Sequence, residues 1–458
     1  MAGEGLFGEL PQQERPQTDT AAFSPPRLRE PRRDQIELRA MDLDNLIGDD
    51  HLARVVWAIV LGLDLSELEN QIKARGSNPG HPAITPRLLV ALWVYATSQG
   101  VGSARALARL CEEHVAYRWL CGGVSVNYHT LADFRVGHAD VLDRLMSEQL
   151  ASLAEAGAVD LTTLAQDGVK IRASAGTSSF RRTETLERKL ELAQAVVEQL
   201  KTEAETHPEE SNKRIQAAKE RAARERVERV KAAQAALEEL KGKRQQLEEK
   251  GGNGKRPKEP RASTTDADAR VMKMADAGFR PAYNVQVTSA AGTQMIVTVN
   301  VGNNGSDRGL MRPMLEQLGA RMGQLPKQHI VDGGYCSADD IEWAHAQEID
   351  VFCPPTQSKS GVDPYQPRSK DGPGGAAWRA RMASEAGKKQ YAIRVICECI
   401  HARWRNWNLR QLPVRGREKV RAVVTLYALT NNLLQGYRIL QERLLAEKRV
   451  QEGRLATA

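Results

Sequence analysis

Three acidic residues, Asp167, Asp332 and Glu398, stand in three separately patterned segments of this 458-residue chain. Residues 159–173 alternate, with Val159, Leu161, Ala165, Val169, Ile171 and Ala173 on one side, which predicts a strand. Asp167 shares that apolar side, where an ionised carboxylate is costly unless a cation or hydrogen-bond donors compensate. A strand ending near Gly168, with Asp167 in the turn, is the plainer alternative. Asp332 ends a short strand candidate at 328–331, where open α/β sheets place their sites. On a helical wheel Tyr391, Arg394, Glu398 and Arg405 share an arc of roughly 60°, opposite Ile393, Ile396, Ile400, Trp404 and Trp407. One continuous helix is expected, docked by its apolar stripe and presenting a carboxylate among cations; a plain Arg394–Glu398 ion pair, worth ~0.3 to 0.5 kcal/mol, also satisfies this spacing. Together the three acids are oxygen ligands of the kind Mg²⁺ accepts, with Mn²⁺ as a substitute. Phosphodiester chemistry commonly uses two such ions ~3.5 to 4 Å apart. Tyr391, Arg394 and Arg405 would then contact a DNA backbone beside the reacting bond.

The surrounding chain must position them. Its length predicts two or three cooperative units, and a hydrophobic content of 41% with 27% charged residues excludes wholesale disorder. Residues 1–35 read as a mobile tail. Residues 36–157 carry helical periodicity and form an expected all-α domain, with Ser103 and Thr130 as helix N-caps. Its segments 103–110 and 130–136, bearing Arg105, Arg109 and Arg135, suit either a helix-turn-helix that sends Arg135 to DNA or a simple packing domain. Strands at 283–288 and 294–301, a helix at 308–322, the strand at 328–331, a helix at 338–346, a strand at 349–353 and long C-terminal helices follow. That order is the order of a ribonuclease H-like α/β domain, assigned to 158–180 and 262–435, with a C-terminal helical tail at 436–458. Asp266, Asp268 and Asp307 read as turn residues rather than ligands.

Between the two catalytic segments lies an insertion, 181–261, with 21 basic and 16 acidic residues and no Phe, Trp or Tyr. It cannot build a globular core. Its spaced leucines, valines and alanines predict an antiparallel helical hairpin, a coiled coil, broken near 206–211 and returning through a flexible 251–260. A solvated spacer is its simplest role; a DNA clamp or dimerisation arm is the other.

The net charge of +7 is modest, but residues 388–421 hold ten basic residues against Glu398 and Glu418. So focused a patch, including Arg410 and Arg415, indicates a polyanionic partner. The six scattered cysteines suit a reducing cytoplasm, and no apolar run approaches the ~18 residues of a membrane span. A Cys397-x-Cys399-x-His401 metal site is disfavoured because a helix splays those side chains. No Walker-type phosphate loop occurs.

The spacing Tyr391-x2-Arg394-x3-Glu398-x6-Arg405 resembles the Y-x2-R-x3-E-x6-K signature of bacterial insertion-sequence DDE transposases. Val331-Asp332-Gly333-Gly334-Tyr335 and Gln166-Asp167-Gly168 resemble the second and first aspartate motifs of that family. Asp42-Leu43-Asp44, Asp50-His51, Gly102-Ser103-Ala104-Arg105 and Asn127-Tyr128-His129-Thr130 are similar to an InsH-type N-terminal domain, and Arg415-Gly416 and Asn431-Asn432-Leu433 to the C-terminal signature of the same branch. The resemblance implies a cytoplasmic, nucleoid-associated homodimer that binds terminal inverted repeats in double-stranded DNA, cuts the ends with Mg²⁺ and joins them to target DNA. Arg405 departs from the family lysine, keeping charge but changing geometry. The alternative from another class is a non-catalytic, architectural DNA-binding protein on the same fold.

Overall fold

The computed structural model describes residues 42–75, 82–206, 213–249, 259–335, 337–357 and 361–456. The expected N-terminal tail, Cys336, most of the 206–211 break and most of the 251–260 linker lie outside them.

The first part of the chain is helical: α1 (Leu52–Leu61), α2 (Ser66–Asn70), α3 (Pro86–Ser98), α4 (Ala104–Glu113), α5 (Val115–Cys121), α6 (Tyr128–Gly137) and α7 (Ala139–Glu155). Local chemistry sets the starts. Pro86 opens α3, where a missing N–H costs nothing. Ser103 Oγ accepts from Ala106 N at 3.3 Å. The cap of α6 is Asn127, not Thr130: its Oδ1 accepts from Thr130 N at 2.9 Å, because a cap oxygen reaches the N–H three residues on. Helix α5 stands between α4 and α6, so the two expected helix-turn-helix segments are not consecutive helices.

Two short strands, β2 (Phe180–Arg181) and β3 (Ala262–Ser263), pair with each other and bracket a hairpin of α8 (Thr183–Thr206) and α9 (Lys213–Glu249). Leu186, Val230, Ala233 and Leu237 are buried between these helices with Ala262. The main sheet is mixed. Strand β1 (Thr163–Arg172) pairs antiparallel with β5 (Phe279–Ala290) from Leu164↔Ala290 to Arg172↔Ala282. The far edge of β5 carries β4 (Arg270–Lys273) and β6 (Ile296–Gly302), both antiparallel. On the other side of β1 come β7 (Gln328–Ile330) and β8 (Asp350–Phe352), both parallel to it. Strand β7 is short and pairs only with 163–165, so the edge of β1 beyond Ala165 is left open by β7.

Helices α10 (Met311–Met322) and α11 (Ala338–Ala346) serve the crossovers; α12 (Pro373–Ala383), α13 (Glu385–Ala392), α14 (Val395–Asn406) and α15 (Arg417–Ala456) complete the chain. The helical region does not close its own core. Trp93, Leu107, Leu131 and Leu142 share one buried cluster with Val285, Val299, Trp404 and Val424, because α15 runs between α3, α6 and α7 on one side and β6 on the other. Asn432 fastens that passage: its Oδ1 accepts from Ile296 N at 2.8 Å and its Nδ2 donates to Ile296 O at 2.6 Å. Helix α15 passes unbroken through the expected boundary at 435/436; its residues are largely buried before that point and exposed after it.

The expected single helix carrying Tyr391 to Trp407 is two. Arg394 N donates to Tyr391 O at 3.0 Å and Cys397 N to Arg394 O at 2.9 Å, three-residue steps that kink the chain between α13 and α14. The apolar stripe is nevertheless buried: Ile396 is 8%, Ile400 0% and Trp404 2% exposed. Among the described residues no helix is long and apolar enough to cross a membrane.

Candidate active site

Asp167 sits mid-strand on β1, its side chain 15% exposed, under α14. The strand therefore continues through Gly168 to Arg172, and Asp167 is not a turn residue. Burial pushes its carboxyl up to about 6; Arg394 and the Gly168 N–H pull the other way, and Asp332 and Asp307 add to the rise. Arg394, at the kink between α13 and α14, donates through Nη1 to Asp167 Oδ2 at 3.1 Å and through Nη2 to Glu398 Oε1 at 2.7 Å. The simple surface pair read from the spacing is thus a bridge between two of the three acids. Burial works against this guanidinium, yet Asp167, Tyr391, Glu398 and Asp332 together hold its pKa above the ordinary value.

Asp332 follows β7 directly, and its Oδ1 accepts from Gly334 N at 2.7 Å. The expected gathering of all three acids into a ready-made metal cluster is not found: among the described residues no group of three or more His, Cys, Asp or Glu side chains is placed to hold a metal ion. Like charges repel without a counterion, and here Arg394 satisfies Asp167 and Glu398 while a loop N–H satisfies Asp332.

A groove of about 990 Å³ opens along β1 beyond its pairing with β7. Asp167, Glu398 and Asp307 line it together with Lys170, Arg172, Arg405 and Arg410. Arg405 and Arg410 are both exposed there. Tyr391 is partly buried on α13 against the cluster that holds Ala165, Ile330 and Ile396. Arg415 lines a separate cavity beside the hairpin. Arg135 is a correction. It is 6% exposed, donates to Gly102 O and lies with its guanidinium carbon 4.7 Å from the Trp93 ring centroid. Burial lowers its pKa to about 10. Such a side chain braces α3 and α6 and is not presented to DNA.

Asp307 was missed. Its Oδ1 accepts from Asn284 Nδ2 at 2.7 Å and Gln286 Nε2 at 2.8 Å, so it is oriented by β5 rather than idle in a turn. Gly168 lets it approach: a Cβ there would collide with Gln286 Nε2 and Asp307 Oδ1. The available signal was the polar set Asn284, Gln286 and Thr288 at every second position of a strand. His401 was also missed as a groove residue. Its Nδ1 lies 3.8 Å from Asp167 Oδ2, and burial, with Arg405 and Arg394, lowers its pKa to about 4, leaving it neutral.

Comparison with known families decides what this groove belongs to. Residues 41–136 match the model described as "Transposase domain (DUF772)", and residues 259–433 match "Transposase DDE domain"; between them they span more than half of the chain. The chain belongs to the DDE transposases. No curated protein and no solved structure matches it. As a DDE transposase it is a polynucleotidyl transferase and endonuclease, and transposases act on DNA. The second matched region contains Asp332, Glu398, Arg394 and Asp307; Asp167 precedes it, on the strand that pairs with β5 and β7. DDE transposases as a family use divalent metal ions, and carboxylate oxygens are hard donors of the kind such ions take; the proton affinity of Asp167 is raised by burial and by its acidic neighbours.

Proposed function

We propose that this transposase is an insertion-sequence enzyme that binds the terminal inverted repeats of its own element as a homodimer, cleaves the ends and joins them to target DNA. The observation that carries this reading is the Arg394 bridge between Asp167 and Glu398 at the wall of a groove also lined by Lys170, Arg172, Arg405 and Arg410. The sheet order β6-β5-β1-β7-β8, with β5 alone antiparallel to its neighbours, supports a ribonuclease H-like catalytic domain. The burial of Leu186, Val230 and Leu237 between α8 and α9 supports a short coiled coil in the insertion.

Asp167, Asp332 and Glu398 would hold Mg²⁺, two ions in the full mechanism, with Mn²⁺ as substitute. Bound there, divalent ions supply activation of the attacking oxygen and stabilisation of the leaving oxygen. Arg405 and Arg410 hold backbone phosphates along the groove, and Tyr391 contacts the DNA backbone beside them. Arg394 keeps the acids together while they are uncompensated. The action on the nucleoid that this reading entails places the enzyme in the bacterial cytoplasm.

The test is cleavage of a duplex carrying the DNA that flanks the encoding gene. Mg²⁺-dependent nicking at the element's ends, followed by strand transfer, is the expected result. Binding without nicking at any Mg²⁺ or Mn²⁺ concentration would instead support an architectural role.

A further inference from the structure

Part of the hairpin's charge is neutralised by ion pairs along its own helices. Along α8 and α9, Lys201 pairs with Glu198 at 2.7 Å, Lys231 with Glu228 at 3.2 Å and Lys241 with Glu238 at 2.7 Å, and Lys243 pairs with Glu239. The root of the hairpin differs. A cavity of about 400 Å³ is lined there by Lys189 of α8, Arg226 and Arg229 of α9, and Arg415 of the loop before α15, with Thr264 and Thr265 between them. Among the described residues no carboxylate lines it. Among the same residues Lys189, Arg226 and Arg229 form no ion pair, and Arg226, Arg229 and Arg415 are exposed. Four cations converging from three chain segments repel one another, a cost that an anion would offset.

The position of the cavity selects the anion. Arg415 Nε donates to Ser174 O at 3.1 Å, just beyond β1, and Arg172 N donates to Arg410 O at 3.4 Å. Arg172 and Arg410 line the catalytic groove, so the segments that carry its cations continue into the root cavity. Arg415 follows Arg410 by five positions, a reach of at most ~17 Å. That spans at most about five phosphates of one DNA strand, counted along the helix axis. We propose that the root of the inserted hairpin is a second DNA-backbone site, formed jointly by Lys189, Arg226, Arg229 and Arg415, which holds phosphates of the duplex whose scissile bond lies in the catalytic groove. The hairpin is then a DNA arm of the enzyme. This rests on the DNA-cleaving reading above and assigns a role to the insertion within it.

The test uses the full-length protein, a labelled mixed-sequence DNA duplex and fluorescence anisotropy across a salt series. The triple variant Lys189→Glu, Arg226→Glu, Arg229→Glu should bind at least about tenfold more weakly, with the slope of log affinity against log salt reduced by roughly two to three, near 0.9 for each phosphate the protein no longer neutralises. Arg226→Lys with Arg229→Lys should keep most of the slope. Lys231→Glu with Lys241→Glu, reversing paired cations of the same hairpin, should leave it unchanged. Urea midpoints for each variant separate misfolding from weakened DNA binding. A triple variant that folds and keeps the parent slope overturns the proposal; if the parent still nicks its element's ends, only this site falls. A parent that binds no duplex overturns both readings. Tight, slope-neutral capture of inorganic phosphate or a nucleoside triphosphate at these residues also overturns it, since the cavity would then be a small-anion site.

Discussion

Arg394 lies between Asp167 and Glu398, 3.1 Å from the first and 2.7 Å from the second, so that one guanidinium compensates two acids of the proposed DDE set. Asp167 is mostly buried and Glu398 is 59% exposed, so the inner ion pair carries most of the energetic weight. Replacing Arg394 with alanine should cost about 1 to 3 kcal/mol of stability in EDTA, read from the urea midpoint. Added Mg²⁺ should narrow the gap to the parent, because ligand binding to the folded state alone stabilises it. A gap indifferent to Mg²⁺ would contradict this role of Arg394.

The two groups of arginines should separate in one assay. Arg405→Ala and Arg410→Ala should each lower the salt slope of DNA binding by about one, with little change in stability. Arg135→Ala should do the reverse: it removes a buried brace over Trp93 at a cost of about 2 to 3 kcal/mol and leaves the salt slope unchanged.

Asp307 and Gly168 form a linked pair. Gly168→Ala should displace Asp307 and Gln286, cost roughly 1 to 3 kcal/mol and depress strand cleavage. Asp307→Asn should preserve the fold and weaken divalent-ion binding, followed by Mn²⁺ electron paramagnetic resonance; unaltered binding would confine Asp307 to a packing role.

Asp266 gives a pH signature away from the groove. It is 3% exposed, accepts from Tyr283 Oη at 2.7 Å, and burial raises its pKa above 3.8 despite the Tyr283 and Gly416 donors. The folded state therefore binds a proton more tightly than the unfolded chain. Its contribution to stability is full below about 3.8 and is lost as pH rises through the folded value. Asp266→Asn should flatten the fall in stability over that acidic window, measured by urea unfolding at a series of pH values.

Much of the scaffold was legible in the sequence because period and composition report it directly. Alternation at 159–173 located β1, the absence of Phe, Trp and Tyr in 181–261 marked the hairpin, and the Ile396–Ile400–Trp404 spacing identified the docked face of α14. What was not legible depends on partners distant in sequence. Arg135 looked like a surface cation because nothing local reveals that Trp93 and Gly102 receive it. Asp307 looked like a turn residue because its donors lie on β5, 21 and 23 positions away. The break at Arg394 interrupts a wheel that has no Pro or Gly to announce it.

Asp332 acts on Asp167 and Arg394 through its charge while its own carboxylate accepts from Gly334 N, and the proposed DDE chemistry requires it to work with Asp167 and Glu398. The most direct measurement is Mg²⁺-dependent nicking of an end-bearing duplex by Asp332→Asn beside the parent, with duplex affinity measured on the same samples. A loss of nicking on the order of a hundredfold or more, with binding essentially retained, is predicted. Nicking at the parent rate by a variant without this carboxylate would contradict it.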